Sequence, residues 1–113
     1  MKLIDTVDVL GTPYTIKEKN MVEDHELEVA DGYCDYTTKE IIIAAIGERP
    51  GSVGDLNDYK RKVIRHELVH AFLFESGLGS ESWGHNEEIV DWIAYQFPKM
   101  NEVFEELGAI EIF

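Results

Sequence analysis

At 113 residues the chain has the length of one domain, 1–113, with room for a single modest hydrophobic core. An apolar fraction of 44% beside 29% charged residues excludes wholesale disorder, and a net charge of −13 argues against nucleic acid, whose phosphates need clustered Lys and Arg. No run of about 18 apolar residues is present to cross a membrane, and the start lacks a basic-then-apolar signal, so a cytoplasmic setting is expected. The single cysteine, Cys34, cannot form an intramolecular disulfide, fits a reducing compartment, and reads as a small buried hydrophobe on a strand.

In chain order, Thr6 to Lys17 holds two β-prone runs around Gly11-Thr12-Pro13, which predicts a hairpin. The acidic stretch Asn20 to Ala30 fits no single element, and His25 within it is expected to be exposed. A second strand pair is predicted from Gly32 to Tyr36 and from Glu40 to Ala45, joined by a polar turn at Thr37-Thr38-Lys39. The run Ile41-Ile42-Ile43-Ala44-Ala45 is continuous rather than alternating, as in a strand covered on both faces.

Ile46 to Gly54, with Pro50 and three glycines, reads as a loop, and Asp55 as the cap of a helix running to about Ser76. Below its first turns this helix is apolar nearly all round, which predicts burial. The cluster Lys60-Arg61-Lys62 with Arg65 reads as a solvated helix face. Gly77 and Gly79 end the helix, and a second opens near Asn86 with Ile89, Val90, Ile93, Ala94 and Phe97 at helical spacing. Pro98 is expected to interrupt it, leaving Lys99 to Leu107 as a final short helix. Strands first and helices last predict an α+β domain: a short N-terminal sheet, then a buried helix, then a second, glutamate-bearing helix.

The chemistry concentrates in His66-Glu67-Leu68-Val69-His70. Histidines at i and i+4 share a helix face, about 5–6 Å apart at Cβ, so both imidazoles can reach one ion. Glu67, one residue past the first histidine, is rotated by about 100° and can flank that ion as a base without binding it. Two ligands under-coordinate zinc, so a third is required. The segment Asn86-Glu87-Glu88-Ile89-Val90-Asp91 offers it: Glu87 and Asp91 form an i,i+4 pair, so one carboxylate can bind the metal while the other accepts a ring N–H from a ligand histidine. Glu88 is the rival ligand but has Trp92 one turn on. His85 as a third histidine ligand is a further alternative to its being a flanking polar group. Trp83 and Trp92 read as core or interface residues.

With these residues the chain resembles the gluzincin metallopeptidases, thermolysin among them, which combine HExxH with a glutamate ligand in an Asn-Glu-x-x-x-Asp segment. Asn86, Glu87 and Asp91 match that segment. The small size and the strand-then-HExxH order look more like the minimal ImmA/IrrE-like or SprT-like proteins, often carried by phage and mobile elements. The resemblance spans about Tyr33 to Phe97, and the downstream histidine and Met-turn of metzincins are absent. It implies a zincin-like fold, one Zn2+ held by His66, His70 and Glu87, Glu67 as general base, and Asp91 orienting His66. Such enzymes also use a His or Tyr to help the oxyanion, for which Tyr95, His85, Tyr33 and Tyr36 are the nearby candidates.

The function implied is hydrolysis of a peptide bond in a protein or peptide substrate, with a regulatory protein such as a repressor as the family analogy. The alternative is a zinc-binding regulatory or protein-interaction module that keeps the fold without hydrolysis. The intact Glu67 speaks for the enzyme, since a structural metal site has no use for a base.

Overall fold

The computed structural model describes residues 1–45 and 56–111. Among these, the strands are β1 (Lys2–Val9), β2 (Thr12–Lys19), β3 (Gly32–Asp35) and β4 (Glu40–Ala44). A 3₁₀ turn, His25–Glu28, lies between β2 and β3, and two long helices follow, α1 (Leu56–Glu75) and α2 (Glu87–Glu106). This is an α+β architecture, a four-stranded mixed sheet with two helices. The loop expected over Ile46–Gly54 and the cap expected at Asp55 lie outside the described residues. No helix among the described residues is long and apolar enough to cross a membrane.

The strand order is β1-β2-β4-β3. The expected hairpin forms between β1 and β2, but its turn is Leu10-Gly11, not Gly11-Thr12-Pro13. Both turn residues have positive φ, 52° and 93°, the conformation whose twist matches that of paired strands. Pro13 sits inside β2 opposite Asp8, before pairing with β4 begins at Thr15, so its missing N–H falls beyond the stretch shared with β4. β2 runs parallel to β4, and β3 returns antiparallel to β4 as an edge strand.

The continuous apolar run is covered on both faces as expected. Ile41 and Ile43 join Val9, Tyr14, Ile16, Val63 and Ala71 in the main core, while Ile42 and Ala44 pack with Leu27 on the other side. The acidic stretch thus becomes a cover: Leu27, fully buried in the 3₁₀ turn, seals the second face of β4. His25 is exposed, beside Glu28. Cys34 lies on β3, half-buried, and burial pushes its thiol up to about 12, far from a reactive thiolate.

The first helix is buried along one ridge rather than all round. Val63, Glu67 and Ala71, four residues apart, face inward, while Phe72 is 43% exposed. Of the basic cluster Arg61 is exposed as expected, but the other three are engaged by the fold. Lys60 reaches Glu18 at 2.8 Å, Lys62 pairs with Asp91, and Arg65 Nε donates to the carbonyl of Ala94 at 2.6 Å. Trp83 and Trp92 are 94% and 54% exposed, so neither is a core residue: the chain around Trp83 turns His85 inward instead.

Pro98 does not end the second helix, which continues to Glu106. A proline lacks the N–H that would bond the carbonyl four residues earlier, here that of the fully buried Ala94. That carbonyl is the one Arg65 reaches, so a side chain from α1 replaces the missing backbone donor. Arg65→Met is expected to destabilise by about 1–3 kcal/mol, the cost of a buried acceptor left without a partner. In a Pro98→Ala background the backbone donor returns and the same change should cost measurably less. Urea unfolding of the four proteins in this cycle checks it; strictly additive losses would contradict the account.

Candidate metal centre

The sheet-facing ridge of α1 carries Glu67, and the neighbouring ridge carries His66 and His70. Their rings lie 5.0 Å apart between centroids. One donor atom each from His66, Glu67 and His70 lies within 4.8 Å of the others. These side chains open into a cleft of about 720 Å³ between the edge strand β3, α1 and the start of α2. Gly32 forms part of its wall; a Cβ there would sit 2.9 Å from the Ile42 carbonyl of β4 and 3.1 Å from Val63 of α1, so the close approach of β3 to β4 and α1 favours glycine.

The second helix begins with a side-chain cap. Asn86 Oδ1 accepts from the Ile89 N–H at 2.9 Å, which fixes the first turn and aims Glu87 back towards α1. The Glu87 carboxylate meets both histidines: Oε2 is 3.0 Å from His66 Nε2 and Oε1 is 2.8 Å from His70 Nε2. One turn on, Asp91 Oδ1 lies 3.1 Å from His66 Nδ1. The Lys62 ammonium beside Asp91 holds that carboxyl below its ordinary range, so it is an acceptor only.

The second histidine has a partner behind it too. His70 Nδ1 is 2.7 Å from His85 Nε2, and His85 Nδ1 is 2.6 Å from the Leu78 carbonyl. His85 is only 9% exposed and packs edge-on against Phe74.

With neutral rings, these contacts place the protons. Asp91 accepts from His66, so Nδ1 of that ring carries hydrogen and Nε2 a lone pair. The same follows for His70 through His85. Two lone pairs therefore face the two oxygens of one carboxylate at 2.8–3.0 Å, acceptor against acceptor. Such a set is attractive only with a positive charge among the three. A second proton on His70 is disfavoured, because burial lowers that ring's pKa. Ligand atoms about 2.0–2.1 Å from a tetrahedral ion stand about 3.3 Å apart, so the observed separations need open by only a few tenths of an ångström. The donors thus suit a divalent metal, with Glu87, 74% exposed, on the open side.

Glu67 is 7% exposed, and burial pushes its carboxyl up to about 7. Its carboxylate lies beside the two imidazoles, with one oxygen within 4.8 Å of a ring nitrogen of each.

The structure thus brings together His66, Glu67, His70, Glu87 and Asp91. Glu88 is exposed and outside the cleft lining, so Glu87 is the carboxylate that meets the histidines. Tyr95 is 61% exposed and does not line the cleft. Tyr36 stacks on Phe74 at 4.3 Å. Tyr33 lines the cleft, with its hydroxyl donating to Asp24. His85 is a support behind His70 rather than a third ligand beside it. Lys62, which the helical spacing alone reads as solvated, belongs to the site through Asp91. Its place one turn before His66 is the signal in the sequence that points there.

Compared with known proteins, the chain matches no family model, no curated protein sequence and no solved structure.

Proposed function

We propose that this chain is a minimal gluzincin-type zinc metallopeptidase, similar to the ImmA/IrrE-like or SprT-like proteins, in which His66, His70 and Glu87 hold Zn2+ and Glu67 is the general base. The carrying observation is the convergence of His66 Nε2 and His70 Nε2 on the two oxygens of the Glu87 carboxylate, at 3.0 and 2.8 Å, a donor set that suits a cation. When bound, zinc supplies a Lewis acid that polarises a carbonyl and makes water nucleophilic near neutral pH.

The residues of the chain do the rest. Asp91 and His85 hold the two imidazoles in the tautomer that presents Nε2. Glu67 takes the proton from the attacking water and returns it to the leaving amine. Substrate lies along β3: Asp31 and Tyr33 turn towards β4, so Gly32 and Cys34 present their backbone groups outward, where an extended peptide can add as a further strand. The reading includes a protein or peptide substrate, a regulatory protein by analogy, and a cytoplasmic setting, which the single, unreactive Cys34 supports.

One observation favours the second reading, a zinc-binding regulatory module without hydrolysis. Among the tyrosines expected to help an oxyanion, Tyr95 is outside the cleft, Tyr36 is stacked on Phe74 and Tyr33 is engaged by Asp24. Both readings require the metal. Protein purified without chelator is expected to carry one zinc per chain by elemental analysis, and removal with chelator should lower Tm. Re-added zinc at 100 times its Kd restores about 2.7 kcal/mol. Protein free of zinc, with a Tm indifferent to it, would overturn both.

A further inference from the structure

We propose that His85 is a positioning residue that sets the tautomer of His70 and so determines whether its Nε2 is open to a cation; this rests on the metallopeptidase reading. The Leu78 carbonyl fixes the first proton. A carbonyl oxygen only accepts, so the His85 nitrogen 2.6 Å from it, Nδ1, must carry hydrogen. The other nitrogen of a neutral imidazole is then a lone pair, and it lies 2.7 Å from His70 Nδ1. His70 must donate there. With its hydrogen spent on Nδ1, His70 turns an unprotonated Nε2 towards Glu87. With His85 neutral, the relay thus runs outward from one backbone carbonyl, and each hydrogen bond in it has a single polarity.

The placement of His85 supports a dedicated role. It is the buried residue of an otherwise largely exposed connector, wedged between Phe74 at 4.6 Å and the His70 ring at 4.9 Å. Leu78 belongs to the turn that closes α1, where its N–H bonds the Leu73 carbonyl at 2.9 Å and Gly77 has a φ of 89°. Asn86, next in sequence to His85, caps α2. One side chain therefore links the end of the first helix, a ligand histidine and the start of the helix that carries Glu87. On the opposite flank Lys62 and Asp91 do the same for His66, by charge instead of by a second imidazole.

The test compares His85→Phe with His85→Gln. Phenylalanine keeps an aromatic ring against Phe74 but offers no acceptor; glutamine places an amide oxygen near the position of the imidazole Nε2. Zinc affinity measured by chelator competition should fall 10–100-fold in His85→Phe and stay within a fewfold of wild type in His85→Gln. In the metal-free protein, long-range ¹H–¹⁵N spectra of the imidazoles should show His70 in the Nδ1–H form in wild type and in the Nε2–H form in His85→Phe.

Wild-type affinity in His85→Phe, or an Nε2–H His70 in the wild-type protein, would overturn the proposal. Equal losses in both variants would also overturn it, since only bulk would then matter. The spectra need no metal, so wild-type protein that shows the Nδ1–H form yet takes up no zinc would place the failure in the metallopeptidase reading and not in the relay. Should His85→Phe fail to fold, the wild-type spectrum and the affinity of His85→Gln still decide.

Discussion

Glu67→Gln is expected to keep its zinc and its fold while losing peptide hydrolysis by about 10²–10⁴-fold, the usual worth of a positioned base. The amide has the shape of the carboxyl and cannot take a proton. Neither lone pair on the histidines nor the Glu87 contacts depend on it. The site is also one where a carboxylate is uncomfortable: the side chain sits in the row with Val63 and Ala71, and burial pushes its carboxyl to about 7. A neutral amide removes that strain, so Tm should hold or rise. The assay is cleavage of a peptide library alongside zinc content and thermal unfolding. Unimpaired cleavage by the variant would rule out Glu67 as the base, and no cleavage by the wild type in any library would favour the regulatory module.

The second large effect concerns the third ligand. Glu87→Ala removes the only carboxylate that meets both Nε2 atoms among the described residues, so zinc affinity should drop by more than the roughly 100-fold upper range for a supporting residue. Glu88→Ala, on an exposed side chain outside the cleft, should leave affinity unchanged. The two alanines sit side by side in the first turn of the same helix, and both remove a carboxylate that favours a helix N-terminus. Their effects on helix stability therefore nearly match, and the difference in affinity isolates coordination. A loss confined to Glu88→Ala would reassign the ligand.

Much of the site is legible in the sequence, because it is written in short-range spacing. His66 and His70 lie one turn apart, Glu87 and Asp91 lie one turn apart, and a helix converts each interval directly into a shared face. The apolar run from Ile41 is equally local, and β4 appears where it predicts. The features that spacing does not reveal depend on partners distant along the chain. Pro98 reads as a helix stop because nothing nearby says that Arg65, on another helix, will satisfy the Ala94 carbonyl. Lys60 and Lys62 read as solvated because Glu18 and Asp91 are far along the chain. His85 reads as a flanking polar residue, since only the fold of the connector brings it behind His70. The hairpin turn differs for a subtler reason: Gly11-Thr12-Pro13 is the stronger turn signal by composition, yet the strand twist selects two positive-φ residues, and Leu10 accepts one of them.

The edge strand β3 borders the cleft and gives it no ligand; every group turned towards the proposed ion comes from the helical hairpin of α1 and α2. On the proposed reading, chemistry and recognition would therefore be carried by separate pieces of chain. Outside Gly32, whose missing side chain the close packing against β4 and α1 demands, descendants of this sequence would then be able to exchange residues along β3 and change what they grip while leaving the proposed metal centre as it was.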